Sequence, residues 1–528
     1  MTRHFQLPGR SAVYGTRAMI ATSHPEASLV GLDVLRSGGS AVDAAIAACA
    51  LLGVVEPGMT GVGGDCFAIV APPGQPPRTI NGSGRSPAAA TLDSAASQGI
   101  TTIEDSSPFA VTIPGAVDAW CQLHRDYGKL DLSRLLEPAA RKAEEGYAVA
   151  PRVAFDWKRH EARLRYHAPA AAVFLPRGEA PRVGDVHHQP ALARTLRAIG
   201  KGGRDAFYAG DIALDMVDTL NGLGGVHTLD DFMALRSTYE APISSTFQGV
   251  EVYECPPNGQ GLTALLILKA LEGWEPYASS SDEPTKLRLF AEVSRAAYAL
   301  RDAAVTDPAA MPVTVQEFLS EASVAFVRNA AGLPITPGHR LGAAPWETDT
   351  ICLSVVDQDG LAVSFINSLF NAFGSTILAP RSGVLFHCRG TSFALDAAHP
   401  NCLAPRKRPM HTIIPGLVMR GGRALMPFGV MGGQYQAAGH AHLLLRLFKE
   451  GMDLQSAIDA PRVFGFDRSL QVEAGIDENT IRHFEDHQHR VERVETPLGG
   501  AQAVWIDHER GVLIGASDPR KDGCALGF

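Results

Sequence analysis

The dipeptide Asp349-Thr350 stands where a loop-like stretch gives way to a strand-like pattern. Residues 333–347 are rich in Pro and Gly, and the alternating run after them predicts a strand from Ile351 to Val356. A threonine at such a place is ordinarily just a good strand former. If the bond before Thr350 is cut, however, the new α-amino group titrates at about 7.7–8.0, beside the threonine's own hydroxyl. One residue would then supply both nucleophile and general base, so a catalytic N-terminal threonine is one interpretation of this junction, and an ordinary strand residue is the other.

A nucleophile of this kind needs donors for the oxyanion of a tetrahedral intermediate. Gly432-Gly433 follows a predicted strand and opens a predicted helix from Gln434 to Phe448. Glycine lets the backbone approach a substrate closely, and N–H groups at a helix N-terminus stabilise negative charge. The pair is therefore a candidate oxyanion hole, and the alternative is a tight turn without a chemical role.

Strands and buried helices must position these residues. The Ala-rich run Ala41–Val55 predicts a helix that is apolar on most faces and therefore buried. Gln358-Asp359-Gly360 predicts a hairpin turn between Ile351–Val356 and Leu361–Phe365. Central strands with outer helices indicate a layered α+β domain. The Gly-rich turn MTGVGGDCF lacks a phosphate-loop pattern and is expected only to allow close backbone approach.

Composition narrows the function classes. The chain has 528 residues, 45% of them hydrophobic, and a net charge of −9, which offers no basic footprint for nucleic acid. No apolar run predicts a membrane span, and the N-terminus lacks a secretory pattern, so a cytoplasmic location is expected. The eight cysteines form no CxxC pair, which predicts reduced thiols and argues against zinc. Neither a metal nor another cofactor is expected.

A set of short motifs, in order along nearly the whole chain, resembles the γ-glutamyltranspeptidase family of N-terminal-nucleophile (Ntn) hydrolases. The segments that carry the resemblance are SGGSAVDAAIAA (37–48), EPGMTGVGGDCF (56–67), IPGAVDAW (113–120), YECPPNGQG (253–261), DTICLSVVDQDGLAVSF (349–365), FGS (373–375), APRKRP (404–409), GVMGGQYQ (429–436), APRVF (460–464) and GASDPR (515–520). Each segment alone is weak evidence, but their shared order is specific.

The resemblance implies a proenzyme that cuts itself between Asp349 and Thr350. A large chain, 1–349, and a small chain, 350–528, would then fold together as a four-layer αββα sandwich of the Ntn-hydrolase type. By position, Thr350 is expected to be the nucleophile, Ser368 to hydrogen-bond it, and Gly432 and Gly433 to form the oxyanion hole. The expected partner of each chain is the other one, and further dimerisation of the pair is left open.

The departures from the family pattern concern the substrate head group. Ser83 stands where relatives that bind glutamate carry an Arg, and whether the nearby Arg85 replaces that cation is left open. Ser392 stands where they carry an acid, and His411 and Thr412 stand where two serines bind the carboxylate. Each lost charge-assisted hydrogen bond is worth roughly 1.5–3 kcal/mol, so a glutamyl head group is poorly matched.

Arg389, His411 and Thr412 remain as a cation and donors without an evident acid partner. These residues suit a small amide that carries a carboxylate, with oxamate as the specific expectation, because the pattern resembles a branch of the family that hydrolyses oxamate in ureide breakdown. Other interpretations stay open: Arg389 in a structural ion pair, His411 as a packed histidine, an acylase, a γ-glutamyltransferase or glutathione hydrolase, and an unprocessed scaffold without activity.

Overall fold

The computed structural model describes residues 9–331, 348–466 and 469–528, with only the backbone at 348 and 349. The loop predicted at 333–347 therefore lies outside the described residues. The strands are β1 Val13–Gly15, β2 Met19–Thr22, β3 Asp65–Ala71, β4 Arg78–Gly82, β5 Tyr147–Ala148, β6 Val186–His187, β7 Thr238–Glu240, β8 Ile243–Phe247, β9 Val250–Glu254, β10 Thr348–Val356, β11 Ala362–Asn371, β12 Leu378–Ala379, β13 Val384–Leu385, β14 Gly416–Arg420, β15 Arg423–Met431, β16 Val463–Phe466, β17 Ser469–Val472, β18 Arg490–Arg493, β19 Gly500–Asp507, β20 Val512–Ser517 and β21 Cys524–Gly527.

Helices surround these strands. They are α1 Pro25–Arg36, α2 Ala41–Val55, α3 Leu92–Ser97, α4 Ala116–Tyr127, α5 Leu132–Glu145, α6 Pro151–Arg159, α7 Glu161–Leu164, α8 Ala168–Phe174, α9 Pro190–Tyr208, α10 Asp211–Gly222, α11 Leu229–Ala234, α12 Gly261–Leu271, α13 Glu275–Ala278, α14 Glu283–Ala304, α15 Val315–Phe318, α16 Glu321–Ala330, α17 Gln436–Leu444, α18 Leu454–Asp459 and α19 Glu478–Asp486.

Two seven-stranded antiparallel sheets form the centre of the described part of the chain. The order in the first sheet is β21-β2-β10-β11-β3-β4-β7, and in the second it is β1-β20-β19-β15-β14-β9-β8. Because β10 and β11 lie in the middle of the first sheet, the segment that begins at Thr350 is paired on both sides further along its length. The predicted hairpin between these two strands is confirmed.

Apolar side chains fill three layers around the sheets. One core packs between the first sheet and helices that include α2, another lies between the two sheets, and the last joins the second sheet to helices that include α12, α14 and α17. This arrangement is the expected α+β, four-layer αββα sandwich of the Ntn-hydrolase type. All ten residues of β11 are buried, since helices cover one of its faces and the second sheet covers the other.

Local sequence explains why α2 begins where it does. The Ser40 hydroxyl accepts the Asp43 N–H at 3.1 Å, and the Asp43 carboxylate accepts the Ser40 N–H at 3.0 Å, which is a complete capping box. The Ala41 N–H donates to Asp357 at 2.9 Å, so the start of α2 is tied to the end of the β10–β11 hairpin. The predicted buried helix Ala41–Val55 is confirmed with the same limits.

Other expectations hold with shifted limits. The helix expected at Gln434–Phe448 is a 3-10 turn, Gly433–Tyr435, followed by α17 and a π-helical turn, Leu445–Lys449.

All eight cysteines are free thiols. Within the ranges that the structure describes, we find no helix that is both long and apolar enough to span a bilayer.

Candidate active site

Thr350 lies near the start of β10, beside an irregularity in its pairing with β11. Asp349 pairs with Phe370 and Ile351 pairs with Asn367, so β11 has one extra residue opposite Thr350. The Thr350 hydroxyl lies 3.0 Å from the Ser368 hydroxyl, and either group can be the donor. Thr350 is only 1% exposed in the uncut chain. The structure thus brings together Thr350, the predicted nucleophile, and the hydroxyl that the sequence predicted beside it.

The backbone after Ser368 holds that hydroxyl in place. The Phe370 N–H donates to Ser368 Oγ at 2.9 Å. Phe370 has a φ of 80°, a left-handed conformation that a bulky residue seldom adopts. Strained backbone of this kind concentrates at functional sites, where the surrounding structure keeps it in position. The turn is therefore a fixed support for Ser368 and, through it, for Thr350.

Gly432 and Gly433 form the turn between β15 and α17, and this turn packs against β10. Their φ values are 117° and 51°, in the region that favours glycine. A Cβ on Gly432 would lie 2.7 Å from the Gly499 Cα, so the space also requires glycine. In the described part of the chain, no turn or loop hydrogen bond between backbone groups uses the N–H of Gly432 or Gly433. The pair can therefore donate to an oxyanion, as its position in the sequence suggested.

Arg389 is the buried cation next to this centre. It is 1% exposed, its guanidinium carbon lies 3.9 Å from the Phe370 ring centroid, and its Nη1 donates to Thr412 Oγ1 at 2.9 Å. Nε and Nη2 of Arg389 have no hydrogen-bond partner among the described residues. A buried guanidinium with unused donors is costly unless a ligand engages it, because an unpaired polar group loses its hydration. The arrangement fits a site for a carboxylate.

The expectation that Arg389 and His411 lack an acid partner is wrong. Asp65, the first residue of β3, is fully buried and accepts a hydrogen bond from His411 Nε2 at 3.0 Å. Its carboxylate also lies 3.9 Å from Arg389 Nε and 3.9 Å from His387 Nδ1. β3 pairs with β11, which sets Asp65 opposite Ser368, the residue whose hydroxyl contacts Thr350. This contact is not evident from the sequence, because Asp65 follows a Gly-rich turn and lies far from Arg389 and His411 along the chain.

Burial, neighbouring charges and hydrogen bonds together set the charge states of Asp65, Arg389 and His411. His411 Nδ1 accepts the Ile413 N–H at 3.3 Å, so the proton on Nε2 faces Asp65. Burial, together with the charge of Arg389, lowers the pKa of His411 to about 3. Burial would raise the pKa of Asp65, but His387, His411 and Arg389 outweigh it and hold that pKa below its ordinary value. Burial lowers the pKa of Arg389 to about 10, so the cluster pairs one anion with one cation at neutral pH.

The hydroxyl of Ser83, which stands where relatives carry the large-chain cation, hydrogen-bonds only neutral side chains in the described part of the chain. The Ser83 hydroxyl donates to Asn81 Oδ1 at 2.7 Å and accepts from Asn258 Nδ2 at 3.2 Å. Arg85 does not point to this place, because its Nη1 donates to the carboxylate of Asp307 at 2.9 Å and its side chain is 42% exposed. Arg85 is therefore engaged with Asp307 and the Arg406 carbonyl, which argues against its replacing the cation.

Ser392, where an acid would grip a glutamyl ammonium, is buried. Its hydroxyl has no hydrogen-bond partner in the parts of the chain that the structure describes, while its carbonyl accepts from Asn401. A second buried guanidinium, that of Arg408, reaches the Ser83 carbonyl at 3.2 Å, and its Nη1 contacts Thr238. Sequence reasoning missed Arg408, although it belongs to the APRKRP motif. The head-group region therefore offers a neutral hydroxyl in place of a carboxylate.

The predicted residues thus gather in one region, with Asp65 added to them. No group of three or more His, Cys, Asp or Glu side chains within the described ranges is arranged to hold a metal ion. These residues include a buried hydroxyl, glycine N–H groups and the Arg389 guanidinium, which are the kinds of group that acyl transfer uses.

Comparison with known proteins identifies the relatives of this chain. The family model described as gamma-glutamyltranspeptidase matches residues 27–528. The glutathione hydrolase-like YwrD proenzyme of Bacillus subtilis is 36% identical over 98% of this chain and 99% of its own length. The oxamate amidohydrolase proenzyme of Klebsiella pneumoniae is 35% identical over 98% of this chain and 100% of its own. The crystal structure of cephalosporin acylase from Bacillus halodurans has a TM-score of 0.92 and 36% identity, and covers 100% of this chain and 99% of its own.

Proposed function

Because this chain belongs to the gamma-glutamyltranspeptidase family of hydrolases, we propose that it matures by cutting itself before Thr350 and then hydrolyses oxamate to oxalate and ammonia. The large chain is 1–349 and the small chain is 350–528. The observation that carries the choice of substrate is Arg389, a buried guanidinium with two unused donors that stacks on Phe370, two residues after Ser368.

Maturation is an acyl shift at the Asp349–Thr350 bond. The Thr350 hydroxyl attacks the Asp349 carbonyl, the C–N bond breaks, and the nitrogen leaves as the α-amine of Thr350. Water then hydrolyses the resulting ester, which frees the Asp349 carboxylate and restores the hydroxyl. Ser368, within 3.0 Å of that hydroxyl, keeps it oriented during both steps.

Turnover repeats this chemistry on a free amide. The α-amine of Thr350 takes the hydroxyl proton as the oxygen attacks the amide carbonyl of oxamate, and the N–H groups of Gly432 and Gly433 receive the oxyanion. Ammonia leaves with the transferred proton, and the acyl group remains on Thr350 as an ester. Water activated by the same amine releases oxalate, so atoms and protons balance over the cycle.

The clamp determines which amides fit. Nη1 of Arg389 is held by Thr412 and Nε faces Asp65 at 3.9 Å, which leaves Nη2 as the least engaged donor. In this proposal the carboxylate of oxamate binds Arg389 and its amide carbonyl accepts from the N–H groups of Gly432 and Gly433. Ser83 and Ser392 supply no charge for a zwitterionic glutamyl head group, which argues against glutathione as the substrate.

The test uses the full-length chain, purified and then followed on a denaturing gel. We expect two fragments, with the smaller one beginning Thr-Ile-Cys-Leu, and a single band for Thr350→Ala. Thr348→Ala is the matched control and should be cut normally. Cleavage of Thr350→Ala at the same bond would contradict the maturation scheme, and one band for the natural chain would favour the scaffold interpretation.

Ammonia release from oxamate is then compared with hydrolysis of a γ-glutamyl anilide and of a cephalosporin side-chain amide. We expect oxamate to be preferred by at least about tenfold in kcat/KM, the equivalent of one charge-assisted hydrogen bond. Strong γ-glutamyl turnover without oxamate activity would establish the glutathione-hydrolase alternative instead. Turnover of the cephalosporin amide alone would make the enzyme an acylase.

A further inference from the structure

Gln260, a fully buried residue at the start of α12, touches both halves of the candidate site. Its Nε2 donates to the Thr412 carbonyl at 2.7 Å and to the Gly433 carbonyl at 3.1 Å. Thr412 holds the Arg389 clamp, and Gly433 belongs to the oxyanion turn. Both N–H groups of the Gln260 amide thus connect the Thr412 segment, which holds the carboxylate clamp, to the Gly433 turn, which is the proposed oxyanion hole.

The backbone of Gln260 strengthens the same connection. Its N–H donates to the His411 carbonyl at 3.0 Å, and the His411 N–H donates to the Asn258 carbonyl at 2.8 Å. The loop before α12 therefore runs alongside the clamp segment, and this pairing fixes where the Gln260 side chain begins. A side chain that is held by hydrogen bonds at its backbone and at its amide has little freedom to change its conformation.

Arg301, on α14, holds the other end of the amide. It is fully buried, and its Nη1 donates at 2.6 Å to Gln260 Oε1 and at 2.6 Å to Gln434 Oε1. The Tyr298 hydroxyl donates to the Gln434 carbonyl, and the guanidinium of Arg301 lies 4.4 Å from the Tyr298 ring centroid. Asp302 balances the charge, since its carboxylate accepts from Arg301 Nη2 at 2.6 Å. The network orients the Gln260 amide so that its donors, not its oxygen, face Thr412 and Gly433.

We propose that Gln260, oriented by Arg301, is a positioning residue that fixes the distance between the carboxylate clamp and the oxyanion hole, and thereby selects half-amides by their length. The inference rests on the proposed function, because it takes Arg389 and Gly432-Gly433 as the two ends of the substrate site. Oxamate places its carboxylate one bond from the reacting carbon, whereas malonamate adds a methylene and succinamate adds two. A fixed distance between clamp and oxyanion hole favours one member of this series.

Gln260→Met keeps the length of the side chain and removes all three of its amide hydrogen bonds. Gln260→Glu keeps an acceptor for Arg301 but removes both donors, so it separates donation from packing. We expect both variants to lower kcat for oxamate on the order of 10²-fold, since a shift of about 1 Å in a reacting group costs that much. We also expect KM to change less than kcat, and the ratio of oxamate to malonamate turnover to fall at least tenfold.

Gln455→Met is the matched control, because Gln455 is also buried and donates to the Ser517 carbonyl at 3.0 Å, but from α18. It should lose thermal stability to a similar extent and keep the natural oxamate-to-malonamate ratio. Arg301→Lys retains one cationic donor and should give an intermediate ratio. A purely structural role for Gln260 would lower the melting temperature without moving the ratio.

The outcomes are separable. Natural ratios in both Gln260 variants, or a shift equal to that of Gln455→Met, would overturn the proposal. If Gln260→Met stays uncut while melting no lower than the control, the oxyanion turn has been displaced and the proposal is supported; uncut protein that melts lower overturns it. If the natural enzyme turns over none of the three half-amides, the proposed function fails, and the rate of self-cleavage in Gln260→Glu against Gln455→Met still tests the positioning role.

Discussion

Two fully buried acid–imidazole pairs can be compared. Asp65 accepts from His411 at 3.0 Å in the candidate site, and Glu254 accepts from His440 Nδ1 at 2.7 Å next to Val430, two residues before Gly432. Both imidazoles have a fixed tautomer, because each uses its other nitrogen to accept a backbone N–H, from Ile413 in the first pair and from Val430 in the second. By residue type, distance and burial the two pairs are alike.

They differ in what faces the acid. Asp65 lies 3.9 Å from Arg389 Nε, and its pKa stays below the ordinary value despite burial. Burial dominates at Glu254 and raises its pKa, and Glu254 Oε2 has no hydrogen-bond partner among the described residues. The comparison teaches that a buried acid–histidine pair is not by itself a sign of chemistry. The guanidinium with unused donors beside the first pair is the feature that supports our proposal of a ligand site there.

Removing each charge in turn tests this difference most strongly. Asp65→Asn keeps an acceptor for His411 but leaves Arg389 buried without its anion, which should cost roughly 3–5 kcal/mol of stability. Glu254→Gln keeps the acceptor for His440 and should cost on the order of 1 kcal/mol. Thermal midpoints of the two variants at neutral pH are the measurement. Equal losses would mean that the charge of Arg389 does not distinguish the first pair from the second.

The oxyanion turn provides the next largest effect. Gly432→Ala would place a Cβ 2.7 Å from the Gly499 Cα, so the turn must shift and carry its N–H groups away from the substrate. Losing one such donor costs about 10²–10³ in kcat. Gly421→Ala is the control, because Gly421 also has a positive φ, 57°, but has open space around it. Steady-state kcat and the extent of self-cleavage decide the matter; a fully active Gly432→Ala enzyme would remove this turn from the mechanism.

The sequence predicted the parts of the site that depend on local signals. Gln358-Asp359-Gly360 between two alternating runs predicted the β10–β11 hairpin, and Gly432-Gly433 after an apolar run predicted a special turn. The helix Ala41–Val55 followed from composition alone. Each of these features depends on consecutive residues, so it can be predicted without knowing which distant segments come into contact.

What could not be predicted depends on contacts between distant segments. Asp65 meets His411 only because β3 pairs with β11, and Gln260 reaches Gly433 only because α12 packs against α17. One signal was available for Asp65: it opens a strand whose seven residues are all buried, and an acid in such a strand needs a partner. No local pattern identifies that partner, and none marked Gln260.

Arg389→Lys tests the carboxylate clamp, and its expected effect is smaller than that of Gly432→Ala. Lysine keeps the charge but loses the planar fork that stacks on Phe370 and reaches Thr412, so kcat/KM for oxamate should fall roughly 10- to 100-fold. Both a lower kcat and a higher KM are expected, because the carboxylate is next to the reacting carbon. Arg85→Lys, in an ion pair whose arginine side chain is 42% exposed, should change kcat/KM less than about twofold. Unchanged kinetics in Arg389→Lys would point to another group as the clamp.

The smallest effect is a dependence of stability on pH that belongs to the first pair. The pKa of His411 is about 3 in the folded chain and about 6.5 when unfolded, so between these values the unfolded state binds the extra proton. Stability therefore rises with pH up to about 6.5, and acidification from pH 7 to pH 5.5 should cost about 1.3 kcal/mol through this residue. Asp65, Arg389 and His387 face His411, and the carboxylate of Asp65 stays ionised throughout this range. His411→Gln lacks the titrating ring, so its thermal midpoint should fall less between pH 7 and 5.5 than that of the natural chain. Parallel losses in the two proteins would show that His411 takes up a proton in the folded state, and that the first pair is more like an ordinary ion pair than the geometry indicates.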